Sequence, residues 1–267
     1  WLHRCRAFRT RSRGQSAVGD AGQAMGGHLG SGGSPDAGAG AGPVIPPAVC
    51  VGTASVCGAL VVFDPREGQG WWDYPVNGET EANQYRSYAR RDLVMLVQYA
   101  AATVAERASK WSGNGGRLGL GDMSEADGAI PGTRIGAAGH PQGTHTDGFD
   151  IDTAYYQTGT SDNKLRPVCP HIESGTDQSR CIAPPTNLDV PRTAFFIGLL
   201  HDSPRLRVVG VDGQVGPLVL QGIATLCQAG QLTNSACSSP KLAYETENTG
   251  GGWYRFHHHN MHVSLMH

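Results

Sequence analysis

The chain predicts an α+β fold: a small central, mostly antiparallel sheet flanked by helices and by long loops stapled with disulfides. Three observations carry this. Apolar residues recur at helical spacing over 83–110 and 190–201, while short β-branched or alternating runs elsewhere read as strands. The helices and strands interleave without a βαβ repeat or a glycine fingerprint, which sets a doubly wound parallel sheet aside. Six of the seven cysteines fall into close pairs, Cys50 with Cys57, Cys169 with Cys181 and Cys227 with Cys237, in surroundings rich in Pro, Gly and Ser.

Composition narrows the class further. The chain has 267 residues, a formal net charge of −2 and only 16% charged residues, so no basic field points to nucleic acid. Glycine is abundant, with 38 residues, as a loop-rich fold requires. No apolar run reaches the length of about eighteen residues that a membrane span needs. The paired cysteines read as loop-closing disulfides formed in an oxidising compartment, hence a periplasmic or secreted protein. Buried free thiols are the alternative, and only Cys227, after Ile-Ala-Thr-Leu, has that setting. No Cys-x-x-Cys knuckle occurs, so a structural zinc is not expected; Cys5 is left over.

Residues 1–49 read as a disordered segment. Arg4, Arg6, Arg9, Arg11 and Arg13 open it, and a Gly/Ala/Ser-rich stretch follows that cannot bury enough apolar surface to offset the entropy of ordering it. No apolar stretch follows the basic residues as a secretory signal requires, and Cys5 lacks the small preceding residue of a lipidation site. The remainder, 50–267, reads as one domain. Cys50 to Phe63 suggests an opening strand, and Trp71-Trp72-Asp73-Tyr74-Pro75 an aromatic turn. The helix at 83–110 is capped by Asn83, carries Leu93, Leu96, Val97, Ala100, Ala101 and Val104 on one stripe, and stops at Gly113. A short strand at Leu118 leads into a Gly/Pro-rich loop ending at His145, and Phe149–Tyr156 is the next strand. A polar excursion, 157–185, is closed by Cys169 and Cys181. The second helix, Val190–His201, ends before Pro204. Arg207–Val211 is a strand, Val215–Leu226 a short helix, and Trp253–Leu265 the closing strand.

Two stretches carry chemistry. Gly143-Thr144-His145-Thr146-Asp147-Gly148-Phe149-Asp150-Ile151-Asp152 supplies an imidazole and a carboxylate across a glycine-containing turn. Phe256-His257-His258-His259-Asn260-Met261-His262-Val263 supplies clustered imidazoles running into a strand. Two imidazoles and one carboxylate form a common zinc set that keeps a fourth position for water or substrate. His140, His171 and His201 read as surface or loop residues. Asp147 reads as a turn residue and Asp150 as a solvated carboxylate or one that orients a ligand histidine. Trp71, Trp72 and Tyr74 read as core or rim. No Gly-x-Ser-x-Gly elbow supports a serine hydrolase.

These stretches, with Gly121-Asp122-Met123-Ser124 before them and Arg205-Leu-Arg-Val-Val-Gly-Val-Asp-Gly between them, resemble the penicillin-insensitive murein endopeptidases of the lysostaphin and D-Ala-D-Ala metallopeptidase group. The similarity runs from about Gly70 onward and is absent from the first fifty residues. It implies a zinc endopeptidase cutting D-alanyl–diaminopimelate cross-links, with peptidoglycan stem peptides as partners. By position it places zinc ligands on His145, Asp152 and His262. Relatives usually carry a histidine two residues before the last ligand; here that position is Asn260, whose amide exchanges no proton but can donate to an oxyanion. The family's additional histidine falls on His257, and His259 lies where some dipeptidase relatives carry a glutamate base. Strict alternation would instead put His258, Asn260 and His262 on one face. Asp122 and Ser124 fix a turn or touch substrate. Alternatives are a D-Ala-D-Ala carboxypeptidase or dipeptidase, or a peptidoglycan-binding module without turnover.

Overall fold

Alternation along Asn260–Leu265 sends Met261, Val263 and Leu265 to one face and Asn260, His262 and Ser264 to the other. That segment is an interior strand of the main sheet in the computed structural model, which describes residues 45–73 and 86–267. In chain order the elements are α1 (Ala54–Cys57), β1 (Leu60–Val62), β2 (Glu67–Gly68), β3 (Trp71–Asp73), β4 (Tyr88–Arg90), α2 (Arg91–Arg107), β5 (Leu118–Leu120), a 3-10 turn (Thr133–Ile135), β6 (Asp150–Ala154), β7 (Ile172–Glu173), β8 (Thr176–Asp177), α3 (Val190–Leu200), β9 (Leu206–Gly210), α4 (Gly216–Gln228), α5 (Asn234–Ser238), β10 (Leu242–Ala243) and β11 (Asn260–Leu265). Seven strands make one mixed sheet in the order β10-β9-β11-β6-β5-β3-β2. Its β11–β6, β11–β9, β5–β6 and β2–β3 pairs are antiparallel, and β10–β9 and β3–β5 are parallel. The fold is therefore α+β, with two small antiparallel pairs, β1–β4 and β7–β8, beside the main sheet.

The apolar face of β6 and β11 joins the helices in one core. Ile151, Met261, Val263 and Leu265 are fully buried there with Leu93, Leu96 and Val97 of α2 and Phe195, Phe196 and Ile197 of α3. Burying each such side chain contributes roughly 1.5–3 kcal/mol. The polar face of the same two strands is left for the site. Asp189 caps α3 by accepting the Arg192 N–H at 3.1 Å, and a proline in the first turn suits its free N–H positions. The three expected disulfides are present, with Cα–Cα separations of 5.6, 5.5 and 5.7 Å. No helix among the described residues is long and apolar enough to cross a membrane.

Several boundaries differ from expectation. Residues 1–44 with Cys5, the Tyr74–Pro75 part of the aromatic turn and the Asn83 cap lie outside the described residues. The opening strand shrinks to β1, because Thr53 caps a one-turn helix before it through its hydroxyl and the Val56 N–H. The long helix starts at Arg91, since Tyr88–Arg90 pair with Val62–Leu60 instead. That pairing is non-local and invisible to periodicity. Gly148 marks the place: a Cβ there would stand 2.9 Å from the Ala89 Cα, and its φ of 72° lies in the left-handed region. His201 is no surface residue. It is 4% exposed, with Nδ1 facing the Ile197 carbonyl at 2.9 Å and Nε2 accepting the Lys241 N–H at 2.7 Å. The closing strand begins at Asn260, not Trp253.

Candidate metal centre and groove

The β6–β11 register sets Asp152 directly opposite His262, and Asp150 opposite Ser264. Directly opposed residues of an antiparallel pair have side chains within contact reach, so two of the expected ligands meet because of strand pairing. His145 arrives from the preceding loop. Its backbone is left-handed, with φ 53°, and so is Asp147, with φ 56°. Such a conformation costs roughly 1–3 kcal/mol and persists only where its surroundings enforce it. Here the His145 N–H donates to Asp150 Oδ2 at 2.9 Å.

The result is a close triangle of donor atoms. His145 Nε2 lies 3.1 Å from His262 Nδ1, His262 Nδ1 lies 3.1 Å from Asp152 Oδ1, and His145 Nε2 lies 3.4 Å from Asp152 Oδ1. Atoms bound at about 2.0–2.2 Å to a tetrahedral ion stand roughly 3.3 Å apart, so the residues fit a zinc-sized cation. Asp150 braces both ligands differently: Oδ2 accepts the His145 backbone N–H, whereas His145 Nδ1 has no hydrogen-bond partner among the described residues, and Oδ1 sits 3.2 Å from His262 Nε2 and so aims Nδ1 at the triangle. His140 joins them. Its ring lies over that of His145 at 3.9 Å, its Nε2 meets Asp122 Oδ2 at 2.8 Å, and His140, His145 and Asp152 also have donor atoms within 4.8 Å of one another. The tighter triangle favours His262 as third member, with His140 at its edge.

Without a cation, a proton holds the cluster together. Burial opposes charge on His262, but hydrogen bonds and attraction from Asp150 and Asp152 outweigh it and push the imidazole up to about 9. Burial would likewise raise Asp150, yet His262 and Ser264 hold it down to about 2. Asp152 is held well below the usual carboxylate range by His145 and His262 against its own burial.

The triangle lies in a groove of about 870 Å³, and His257, His259, Asn260, Trp253, Arg255 and Asp122 also line it. That size suits a short peptide or other small ligand. The rim is set by Glu245, whose carboxylate accepts the N–H groups of Gly251 at 2.9 Å and Trp253 at 2.8 Å. Trp253 lies flat on Gly210, where a Cβ would come within 1.9 Å of its ring, and its centroid is 5.9 Å from that of His262.

The expected residues separate here. His257 presents its ring edge-on to His262 at 6.3 Å; its Nδ1–H donates to the Arg255 carbonyl at 2.8 Å, which leaves Nε2 free. Burial pushes His257 down to about 4, and His259 also below its ordinary value, so both are neutral at pH 7. Asn260 is 3% exposed, and its Oδ1 has no hydrogen-bond partner among the described residues. His258 does not share their groove, which corrects the alternation reading. Phe256 takes φ 72° and donates its N–H to the Ser179 carbonyl, so 253–259 is not extended and His258 turns away. Ser124 is buried and bonds the Tyr88 and Glu125 carbonyls, a turn role, whereas Asp122 enters the groove with Arg86 NH1 at 3.1 Å. His140 was missed because only tertiary contact places it; its position five residues before His145 was the one available signal.

Asp150→Asn should weaken zinc binding about 10–100-fold, as loss of a carboxylate orienting a ligand histidine does. Competition against a chromophoric chelator reads this directly; unchanged affinity would remove the bracing role. Compared with known proteins, the chain matches no family model and no curated sequence.

Proposed function

We propose that the protein is a zinc metallopeptidase of the cell envelope that hydrolyses peptide cross-links of peptidoglycan, of the D-alanyl–diaminopimelate type. The observation that carries the reading is the triangle of His145 Nε2, Asp152 Oδ1 and His262 Nδ1, gathered from three segments onto the floor of a groove. Zinc in such a set acts as a Lewis acid toward a carbonyl and lowers the pKa of water. The chain supplies the rest. His257, neutral and with Nε2 free, accepts a proton and returns it to the departing amine. Asn260, on the same sheet face as His262, directs its amide at the developing oxyanion. Arg255 on the groove wall offers counter-charge to stem-peptide carboxylates. Three disulfides accord with an exported protein.

Sacculus digestion analysed by mass spectrometry tests this: dimers should become monomers, the activity should vanish with a chelator, and zinc should restore it. Loss of a terminal D-alanine alone would mean a carboxypeptidase. Sacculus binding without release at any zinc concentration would end the hydrolase reading; Asn260, in place of a proton-carrying histidine, is what favours that binding module.

The metal-free protein should also have a distinctive stability profile. The His262 pKa is about 9 when folded and about 6.5 when unfolded, so its contribution is complete below about 6.5 and is lost as pH rises through 9. Asp150, lowered to about 2, contributes above roughly 4 and fades below. Melting in a chelator should therefore show this cluster's full benefit between about pH 4 and 6.5 and a decline toward pH 9. Zinc needs deprotonated His262, so the zinc-dependent rise in Tm should grow from pH 6 to 8. A zinc increment that shrinks over that range contradicts the ligand role.

A further inference from the structure

Outside the groove a second group of imidazoles meets a carboxylate, on residues the peptidase reading leaves unused. His171 and Asp177 stand at the two ends of the β7–β8 hairpin, inside the loop closed by Cys169 and Cys181. His258 comes from the segment that leads into β11. One donor atom from each lies within 4.8 Å of the others, and the His171 and His258 rings are 5.2 Å apart at an interplanar angle of 35°. We propose that His171, Asp177 and His258 bind a second zinc-class divalent cation that ties the hairpin to the segment presenting His257 and His259.

The tautomers favour it. His171 Nδ1 lies 3.1 Å from the Cys169 carbonyl, so Nδ1–H donates there and the Nε2 lone pair is free. A backbone carbonyl holding the far nitrogen is the usual arrangement for a metal-bound histidine. His258 is 5% exposed, and its Nδ1 lies 3.4 Å from His259 Nδ1, which leaves Nε2 toward the hairpin. Its Nε2 faces Asp177 Oδ1 at 3.9 Å, too long for a hydrogen bond but suited to an ion shared between them. Asp177 is exposed, and its Oδ1 accepts the Ser179 N–H at 2.7 Å, which holds the carboxylate beside the imidazoles. Two imidazoles and one carboxylate favour zinc over magnesium or calcium, which prefer oxygen alone.

The backbone is already arranged for the purpose. Val168 N–H donates to the His258 carbonyl at 3.0 Å, Phe256 N–H to the Ser179 carbonyl at 2.6 Å, and Gln178 N–H to the His171 carbonyl at 2.9 Å. The loop and the 256–259 segment are thus docked before a cation arrives. His258 faces the hairpin while its neighbours His257 and His259 face the groove, so a cation on one side steadies the groove wall on the other. No cysteine takes part, which is why the absence of a Cys-x-x-Cys knuckle did not reveal it.

Zinc stoichiometry after equilibrium dialysis of the full chain tests the proposal. Wild type should hold two equivalents. His171→Gln should hold one and Asp177→Asn should bind the second more weakly, both melting like wild type in chelator. His145→Ala should also keep one equivalent, and zinc added to it should slow hydrogen exchange in 168–181 and 256–259. His145→Ala with His171→Gln should keep none. The second site is overturned if His145→Ala holds no zinc, if His171→Gln holds as much zinc as wild type, or if zinc leaves exchange in His145→Ala unchanged. Zinc in His145→Ala equal to that in wild type, whether one equivalent or two, would instead count against the groove triangle alone, so the two readings fail separately.

Discussion

His145→Ala should lose zinc-dependent hydrolysis of sacculi to background while remaining folded. His145 contributes one of three donor atoms, with Nε2 3.1 Å from His262 Nδ1 and 3.4 Å from Asp152 Oδ1, and is 1% exposed at the groove floor. Two remaining donors leave the cation without a closed set, and the chemistry that depends on it goes with it. Folding should survive because the imidazole lies on the polar side of β6 and β11. The apolar core, with Ile151, Met261 and Val263, is on the opposite side. Metal analysis, circular dichroism and digestion of sacculi on one preparation separate these effects. Wild-type turnover by a folded His145→Ala protein would end the peptidase reading.

Arg192→Ala should lower the free energy of unfolding by about 3–5 kcal/mol, the usual consequence of removing one partner from a buried ion pair. Arg192 is 2% exposed and reaches from α3 to the end of α2. One guanidinium nitrogen lies 2.6 Å from Asp189 Oδ2; the other donates to the carbonyls of Ala108 and Trp111, each at 2.9 Å. It therefore adds a second donor to the Ala108 carbonyl, which also accepts the Trp111 N–H at 3.0 Å, and serves the Trp111 carbonyl just beyond α2. Alanine would strand the buried Asp189 carboxylate and the Trp111 carbonyl together. Denaturant unfolding in the metal-free state reads the loss, and zinc binding by the folded fraction should be unchanged, since Arg192 is remote from the triangle in the hydrogen-bond network. A loss below about 1 kcal/mol would show that water replaces the guanidinium.

These outcomes follow a division visible along the chain. α3 was legible almost to the residue, because Ala194 to Leu200 are apolar all round and are bounded by a cap and a proline. β6 and β11 were legible from alternation, and the three disulfides from cysteines spaced 7, 12 and 10 residues apart, short enough for local closure. The start of α2 was not, because Tyr88–Arg90 are held by β1 from across an intervening segment. Nor was the turn of 253–259, where one left-handed residue, Phe256, bonded to Ser179, ends the alternation that strand periodicity assumes.

Residue types and their order thus specified the α+β elements, the cysteine pairs and the two stretches that hold the candidate ligands. The folded chain alone decided which imidazoles face one another: His262 with Asp152 through strand register, His140 with Asp122 through loop packing, and His258 with His171 behind the groove wall. The physical reason is range. Periodicity and caps act within a few residues, whereas a metal-sized cluster gathers atoms from segments more than a hundred residues apart, and their meeting depends on every pairing in between.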